Sequence, residues 1–397
     1  MSITVPQGFT MAGVACGIKS NLNKEDLTLI YCSEGAVTAG VYTENLMRAP
    51  CVDWDRARTP SNDIRVVVVN SGNANACTGQ QGVDDTQAMA LLAANTMGTS
   101  IEHALVMSTG IIGTFLPMAK IGEGIAKAAI QLNNDTEAFL SAARGILTTD
   151  KSHKVASREI IIAGMPIRIA GMCKGAGMIG PNMATMLGTI LTDAPLTPDD
   201  AQRLLVEVVN DSFNCISVEG HTSTNDTVVL LASGKARQVP LNGQDLASFQ
   251  ASVKEVCVEL AKQIPGDGEG SSHLITIDVT GTATRQDAFQ IAKTIADSAL
   301  VKTGIAGADP NWGRIISAVG YAGVDLDPAC VGLSLNNIAV YCDGGPVDFD
   351  EQLASDSIRN HRETSIQLQV GNGSGSVRFW TSDLTVDYVR FNSEYHT

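Results

Sequence analysis

Hydrophobic positions along the chain repeat with two different periods. Runs that are continuously apolar, or that alternate every second residue, predict strands in "RVVVVN", "DTVVLLAS", "LITIDVTG", "VGLSLNNIAVY", "SIQLQVG" and "LTVDYVRFN". The run at Arg65–Asn70 is β-branched and apolar without a break, so we expect both of its faces to be buried. The segments "EIIIAG" and "PIRIAG" flank a turn at Gly164–Pro166 and predict a hairpin.

Other segments repeat their apolar residues at helical spacing. They are "DDTQAMALLAANTM", "DTEAFLSAARGIL", "LTPDDAQRLLVEVVNDS", "LASFQASVKEVCVELAKQI" and "QDAFQIAKTIADSAL". Strands and helices follow one another irregularly, and no internal repeat is visible, which predicts a mixed α/β or α+β fold with large sheets. The turn-rich stretch Asp193–Pro198 marks a weak boundary.

Composition and charge narrow the classes of function. The chain has 397 residues, 44% of them hydrophobic, which fits a folded protein of two or three cores, or one large domain with a lobe. A net charge of −15 without a basic cluster argues against nucleic-acid binding, and the longest apolar runs are too short for a membrane helix. We read no signal peptide. The nine cysteines are scattered and never spaced C-x-x-C, which argues against a zinc site and favours a cytoplasmic location.

Four glycine-containing turns are candidates for chemistry. "NSGNANACTG" follows a predicted strand but lacks a nucleotide-binding pattern, so a structural turn is the preferred interpretation. "STGIIG" (Ser108–Gly113) could form an oxyanion hole or a simple turn. "GDGEGSSH" holds Glu269 on a permissive backbone, either in a cleft or in solvent. "ADPNWGRI", with Asp309, Trp312 and Arg314, favours a structural role, although Arg314 could bind a carboxylate.

The uncharged stretch "GMIGPNMATMLGTI" contains Thr185 and allows two interpretations. The residue could simply lie in a buried strand. Alternatively, its hydroxyl could attack the carbonyl before it and cut the Ala184–Thr185 bond, which would leave Thr185 at a new N-terminus. The free α-amine would then serve as the base for the threonine nucleophile. The residues alone favour the strand.

The motifs taken together resemble the ornithine acetyltransferase family, the bifunctional glutamate N-acetyltransferases of arginine biosynthesis. "GFTMAGVACGIK", "NSGNANACTG", "MSTGIIG", "TTD", "KGAGMIGPNMATML", "TSTNDT", "DGEG", "DPNWGR" and the terminal "NSEYHT" occur in the family's order over nearly the whole chain. The resemblance implies an αββα sandwich like that of N-terminal-nucleophile hydrolases and DmpA-type aminopeptidases, with a smaller lobe. It also implies self-cleavage into a light segment 1–184 and a heavy segment 185–397, which fold together as one unit.

The resemblance also implies roles for individual residues. Thr185 would be the nucleophile that accepts the acetyl group, with Thr109 and Gly110 as its oxyanion hole. The remaining positions would contact the amino-acid substrate together with Thr185: Thr148, Lys174, Glu269, Asn392 and Thr397. A lysine suits the substrate carboxylate and a glutamate suits a substrate ammonium. The implied reaction is ping-pong acetyl transfer from N2-acetyl-L-ornithine to L-glutamate, without a metal or cofactor.

The resemblance leaves several points open. Gly180 stands where the family pattern has a histidine, Cys215 and His221 stand where many members have arginine and aspartate, and "SSH" with His273 follows "DGEG". The use of acetyl-CoA as a second acetyl donor is open, and a heterotetramer of two light and two heavy chains is the family-based expectation. The alternative enzyme is an amidase or aminopeptidase that gives the acyl group to water, and the third class is an uncleaved binding protein.

Overall fold

A computed structural model describes residues 3–180 and 186–394, so Ala184, Thr185 and Thr397 lie outside the described residues. In chain order the elements are β1 (Thr10–Val14), β2 (Leu27–Tyr42), α1 (Pro50–Arg56), β3 (Ser61–Asn73), α2 (Gly79–Thr96), β4 (Ala104–Ile111), α3 (Met118–Gln131), α4 (Thr136–Gly145), β5 (Lys154–Ile162), β6 (Met165–Lys174), β7 (Leu187–Thr192), α5 (Pro198–Asn210), β8 (Ile216–Ser217), β9 (Thr227–Ala232), α6 (Gly243–Gly266), β10 (Leu274–Thr282), α7 (Arg285–Asp297), α8 (Ala299–Ala306), α9 (Trp312–Gly320), β11 (Gly332–Leu335), β12 (Ile338–Cys342), β13 (Gly345–Pro346), α10 (Glu351–Arg359), β14 (Glu363–Gln369), β15 (Gly375–Ser382) and α11 (Val386–Glu394).

The first sheet has the strand order β4-β3-β2-β9-β7-β6-β5, and β1 also pairs with β2. The two strands that follow residue 185, β9 and β7, are adjacent in the middle of this sheet. On one side β7 pairs antiparallel with β6, and on the other β9 pairs antiparallel with β2, so earlier strands flank both. The sheet therefore joins residues before and after the predicted cleavage point by backbone hydrogen bonds.

The apolar run of β3 is buried on both faces, as its pattern predicts. Val66 and Val68 pack in a cluster with residues of α1, α2 and α3, whereas Val67 and Val69 pack on the other face with Phe139 of α4. Since successive strand side chains point to opposite faces, a strand covered on both sides needs a continuous apolar run. The predicted hairpin is also present, as β5 and β6.

The second sheet has the order β13-β12-β11-β14-β10-β15-β8 and consists of residues that follow position 185. Helix α6 contacts β5 and β6 of the first sheet and also β8 and β15 of the second. Its buried side chains, such as Val253, Val256 and Leu260, belong to one large core with residues of both sheets. The prediction of a mixed α/β fold with large sheets is confirmed, and the structure shows two of them among the described residues.

Two strand predictions are wrong in detail. "VGLSLNNIAVY" is a hairpin and not one strand, because Asn336 and Asn337 have φ values of 47° and 66°, which reverse the chain between β11 and β12. "LTVDYVRFN" forms helix α11 despite its alternating pattern. The Thr385 hydroxyl accepts a hydrogen bond from the Tyr388 N–H, and Asp387 pairs with Arg390 one turn later, which are helix-start signals that outweigh the alternation.

The helix predictions are confirmed, except that one predicted helix is two helices in the structure. "QDAFQIAKTIADSAL" spans α7 and the start of α8, which meet at Ser298. The Ser298 side chain caps α8 by accepting from the Val301 N–H, so its backbone leaves the helical conformation. Across residues 3–180 and 186–394, we find no helix with the length and apolar character that crossing a membrane requires.

Candidate active site

A cleft of about 880 Å³, partly open to solvent, gathers the predicted site residues that the structure describes. It lies where β4 and β6 end, next to α11. Thr109, Gly110, Thr148, Lys174, Glu269 and Asn392 all line it. Residues more than 280 positions apart in the sequence thus meet at one site. Thr185 and Thr397 lie outside the described residues.

Thr109 and Gly110 occupy the end of β4, where the backbone leaves the regular strand conformation. Gly110 has a φ of 135°, and a Cβ atom there would overlap the backbone of Gly72 and Asn73 at the end of β3. Only glycine fits this position. The Asn225 side-chain amide donates to the carbonyl oxygens of Ser108 (2.8 Å) and Ala74 (2.7 Å), which holds the two strand ends together.

The asparagine-rich turn after β3 has a structural role. The Asn70 amide donates to the Asn73 carbonyl (2.8 Å), and the Asn75 amide donates to the Gly82 carbonyl (2.8 Å) and to Thr86 Oγ1 (3.0 Å). These amides are buried and engaged with the protein itself. The contacts support the structural interpretation of "NSGNANACTG".

Lys174 is the last residue of β6 and its side chain is buried in the cleft wall. Its Nζ donates to Thr109 Oγ1 at 3.4 Å. Burial lowers the pKa of Lys174, while the nearby carboxylate of Asp150 opposes this effect. The cation therefore lies beside the proposed oxyanion hole.

Asp150, in the "TTD" motif, organises this basic end of the cleft. Its carboxylate accepts from Lys154 Nζ (2.6 Å), the Gly175 N–H (2.7 Å) and the Thr148 N–H (3.1 Å). Burial alone would raise the pKa of Asp150, but the ammonium groups of Lys154 and Lys174 and these hydrogen bonds hold it below its usual range. One buried carboxylate thus positions the backbone of both Thr148 and Gly175, the neighbour of Lys174.

Lys154 also forms an ion pair with a second carboxylate, that of Asp267. Its Nζ also donates to Asp267 Oδ2 at 2.7 Å, and the same oxygen accepts from the Lys151 N–H at 3.0 Å. The two carboxylates raise the pKa of Lys154 against the effect of burial. The sequence analysis missed this network, although Asp150 belongs to the "TTD" motif and Asp267 to the "DGEG" motif.

Glu269 and Asn392 meet at the acidic end of the cleft. The Asn392 amide donates to Glu269 Oε2 at 3.1 Å. A Cβ atom on Gly177 would overlap the Glu269 carboxyl group, so the glycine leaves room for it. A side chain at Gly270 would overlap the backbone of Asp387 and Tyr388, which explains how α11 comes close enough to supply Asn392.

Glu219 is a second carboxyl group at this end, and the sequence analysis missed it. It lies on the loop after β8 and lines the cleft. Its Oε1 accepts from the Ile179 N–H at 2.6 Å, and among the described residues its Oε2 has no hydrogen-bond partner. Burial raises the pKa of Glu219 to about 8, and the negative charge of Glu269 adds to this effect.

The residues on either side of the undescribed segment 181–185 are held firmly. Before it, the Ile179 carbonyl accepts from the N–H groups of Val218 (2.9 Å) and Gly220 (3.0 Å). A Cβ atom at Gly180 would overlap the Gly220 backbone, so the glycine permits close backbone packing here. After it, the Met186 N–H donates to Asp226 Oδ1 at 2.8 Å, and burial raises the pKa of Asp226 well above its usual value.

The signal that could have found further cleft residues is "TSTNDT". Ser223, Thr224 and Asn225 from this motif line the cleft, with His221 just before them. Tyr388 of α11 also lines it, but its helix was predicted as a strand. A motif without an obvious chemical residue can thus supply the walls of a site.

Other candidate residues lie away from the cleft. Arg314 donates to the Leu300 carbonyl (2.8 Å), and Trp312 packs on Tyr341 with ring centroids 5.4 Å apart, which supports the structural interpretation of "ADPNWGRI". His273 Nδ1 lies 2.9 Å from Asp383 Oδ2 in a buried pair. In the described part of the chain, no group of three or more His, Cys, Asp or Glu side chains is arranged to hold a metal ion.

Comparison with known proteins gives matches over the full chain. A family model described as the ArgJ family matches residues 10–397. The "Arginine biosynthesis bifunctional protein ArgJ" of Rhodopirellula baltica is 46% identical over 399 residues, covering 100% of this chain and 97% of that protein. The protein of the same name from Symbiobacterium thermophilum is 42% identical, covering 100% and 98%. The crystal structure of argJ from Bacillus halodurans has 40% identity and a TM-score of 0.51, covering 52% of this chain and 98% of that one.

Proposed function

The chain belongs to the ArgJ family, and from this premise we propose that it is an enzyme of arginine biosynthesis that moves the acetyl group of N2-acetyl-L-ornithine to L-glutamate. Its relatives carry the name of bifunctional arginine-biosynthesis proteins. The observation that carries the proposal is the cleft, which combines the Thr109–Gly110 turn, a buried lysine and two glutamates. An amino acid with a carboxylate, an amide and an ammonium group matches this set of partners.

Self-cleavage between Ala184 and Thr185 is part of the proposal. The light segment 1–184 and the heavy segment 185–397 would stay together, because β6 pairs with β7 and β2 pairs with β9 across the cut. The coverage of the Bacillus halodurans chain supports this, since 98% of that chain matches only 52% of this one. We expect two light and two heavy chains in the assembly, which light scattering after gel filtration would measure.

The chemistry follows from a threonine at a chain end. The Thr185 hydroxyl oxygen attacks the acetyl carbonyl, and the α-amine of the same residue accepts the hydroxyl proton. The developing oxyanion is stabilised by Thr109 and Gly110, with the Lys174 cation beside them. The C–N bond then breaks, the proton passes to the leaving amine, and acetyl-threonine remains. The α-amine of L-glutamate reverses these steps and carries the acetyl group away.

Binding and exclusion of water complete the proposal. Lys174 would hold the substrate carboxylate and Glu269 the side-chain ammonium, with Thr148, Asn392 and Thr397 as further contacts. Water must be kept from the acetyl ester, because hydrolysis would waste the donor. The reaction requires no bound cofactor, and we place it in the cytoplasm.

The test follows labelled acetyl groups. Purified protein is incubated with N2-acetyl-L-ornithine, labelled in the acetyl group, and L-glutamate. We expect labelled N-acetyl-L-glutamate, and denaturing mass spectrometry should show fragments that end at Ala184 and begin at Thr185. The Thr185→Ala variant should remain uncut and inactive. Label found only in acetate would make the protein a hydrolase, and turnover by the variant would refute the nucleophile. Replacing the donor by acetyl-CoA measures whether it is a second donor.

A further inference from the structure

The acidic end of the cleft holds two carboxyl groups with unequal surroundings. Glu269 receives a hydrogen bond from the Asn392 side chain at 3.1 Å. Glu219 has 12% of its side chain exposed, and its Oε2 has no partner among the described residues. A buried carboxylate oxygen without a partner is costly when ionised, so these surroundings favour the protonated form of Glu219.

The proposed reaction places opposite demands on this end of the cleft, and the present inference rests on that proposed function. The acetyl donor brings a side-chain ammonium, whereas the acceptor, L-glutamate, brings a side-chain carboxylate. The donor and the acceptor bind in turn, and each must place its α-nitrogen at Thr185, the proposed acetyl-accepting residue. With two permanent carboxylates nearby, the second substrate would meet like charges in a partly buried site.

Charged and titratable groups face Glu219 from each neighbouring element. Lys302 on α8 lies behind it, with Nζ donating to the Val218 carbonyl and to Thr381 Oγ1. Glu269 and Tyr388 line the same cleft, and His221 Nδ1 on its own loop lies 3.9 Å from Glu219 Oε1. Burial raises the pKa of Glu219 to about 8 and lowers the pKa of Lys302 to about 8. Both forms of the Glu219 carboxyl are therefore accessible near neutral pH.

We propose that Glu219 allows one cleft to accept side chains of opposite charge, by binding the donor's ammonium as a carboxylate and donating a hydrogen bond to the acceptor's carboxylate as a neutral acid. The proton is exchanged with solvent between the two half-reactions. Glu219 is thus a specificity residue for the proposed reaction, while Glu269 is the second partner of the ammonium.

The Glu219→Gln variant tests this proposal, because the amide keeps an acceptor for the Ile179 N–H but carries no charge. We expect KM for N2-acetyl-L-ornithine to rise about tenfold, since a charge-assisted hydrogen bond becomes a neutral one. KM for L-glutamate should change by less than about threefold, because the amide still donates. An equal increase in both KM values would show a merely structural role and overturn the proposal.

The pH profiles of the wild type and the Glu219→Gln variant, compared with each other, supply a second measurement. Between pH 7 and 9, the ratio of wild-type to variant KM should fall for the donor and rise for the acceptor, each by up to about tenfold, as the carboxylate replaces the neutral acid. The comparison cancels the titration of the Thr185 α-amine and of the acceptor's own α-amine, which both proteins share. Ratios that do not move in opposite directions would contradict the proposal.

Controls separate this proposal from the proposed function. Glu207→Gln, on the exposed face of α5, should leave both KM values and their pH profiles unchanged. Mass spectrometry and the thermal midpoint show whether the Glu219→Gln protein is cut and folded. If the wild-type protein transfers no acetyl group to L-glutamate, the proposed function fails. If it does so, but the ratios of wild-type to variant KM do not move in opposite directions with pH, only the role of Glu219 fails.

Discussion

The two ends of the cleft carry opposite charges and are built in opposite ways. At the basic end, Asp150 receives three hydrogen bonds, and Lys154 is held between Asp150 and Asp267. At the acidic end, Glu219 receives one hydrogen bond from the Ile179 N–H, and its second oxygen is unpaired within the described residues. A saturated carboxylate keeps its charge near neutral pH, whereas an unsaturated buried one does not. The basic end of the cleft therefore has a fixed charge, whereas the charge of Glu219 at the acidic end can change.

The largest effect should come from breaking the saturated end. Asp150→Ala leaves Lys154 buried beside Asp267 alone and removes the acceptor of the Gly175 and Thr148 N–H groups. We expect the free energy of unfolding to fall by at least about 3 kcal/mol, as for other buried ion pairs that lose one partner. Urea unfolding in the Thr185→Ala background, which should stay one covalent chain, measures this.

A matched control for Asp150 is a surface ion pair. Asp356→Ala removes the partner of Arg359 in an exposed pair one turn apart on α10, and should cost less than about 1 kcal/mol. Similar losses in the two variants would show that the buried network is not what stabilises the basic end.

A smaller effect should distinguish, at the basic end, the lysine that binds substrate from the lysine that stabilises the fold. Lys174→Met should lower kcat/KM for N2-acetyl-L-ornithine about 10- to 100-fold, because a charged partner of the substrate is lost. Its free energy of unfolding should change little, because Asp150 still pairs with Lys154. Lys154→Met should lower the free energy of unfolding more than Lys174→Met does, and should lower kcat/KM less. Lys174→Met protein with more than half of the wild-type kcat/KM would refute the role of this lysine.

The effect that is smallest per pH unit is a difference in the pH dependence of stability. The folded-state pKa of Asp150 is below its unfolded value of about 3.9, so its contribution is present above that pH and is lost as pH falls further. The pKa of Glu219 is raised from an unfolded value of about 4.3 to about 8, so its contribution is lost as pH rises between these values. Relative to wild type, Glu219→Gln should therefore remove a decline of up to about 1 kcal/mol per pH unit between pH 5 and 7.5. Identical slopes for the two proteins would contradict the raised pKa of Glu219.

Much of the fold could be predicted because local pattern and burial agree. The continuous run at β3 and the helical spacing in α5 and α6 each describe faces that the tertiary structure does bury. Prediction failed where local capping outweighed the pattern. In α11, the Thr385 hydroxyl and the Asp387–Arg390 pair stabilise a helix in a segment that alternates like a strand.

The candidate site likewise contains residues that the sequence predicted and one that it did not. Motifs were sufficient to select Thr109, Lys174, Glu269 and Asn392, and the structure brings all four into one cleft. The motif "TSTNDT" lies just after Glu219, but it could not indicate that this carboxyl group would be buried beside Glu269. Its environment comes from Ile179, Lys302 and Glu269, which lie 40, 83 and 50 positions away along the chain.

The sequence by itself determined the family, the mixed α/β class and the residue types that the chemistry requires, because these depend on motifs and short-range periodicity. Only the tertiary structure decided the ionisation of those residues and their neighbours. The same carboxyl group is acidic in Asp150 and nearly neutral in Glu219, since one is surrounded by ammonium and N–H groups and the other is buried with an unpaired oxygen. Such differences arise from burial and from contacts between distant segments, which no local pattern contains.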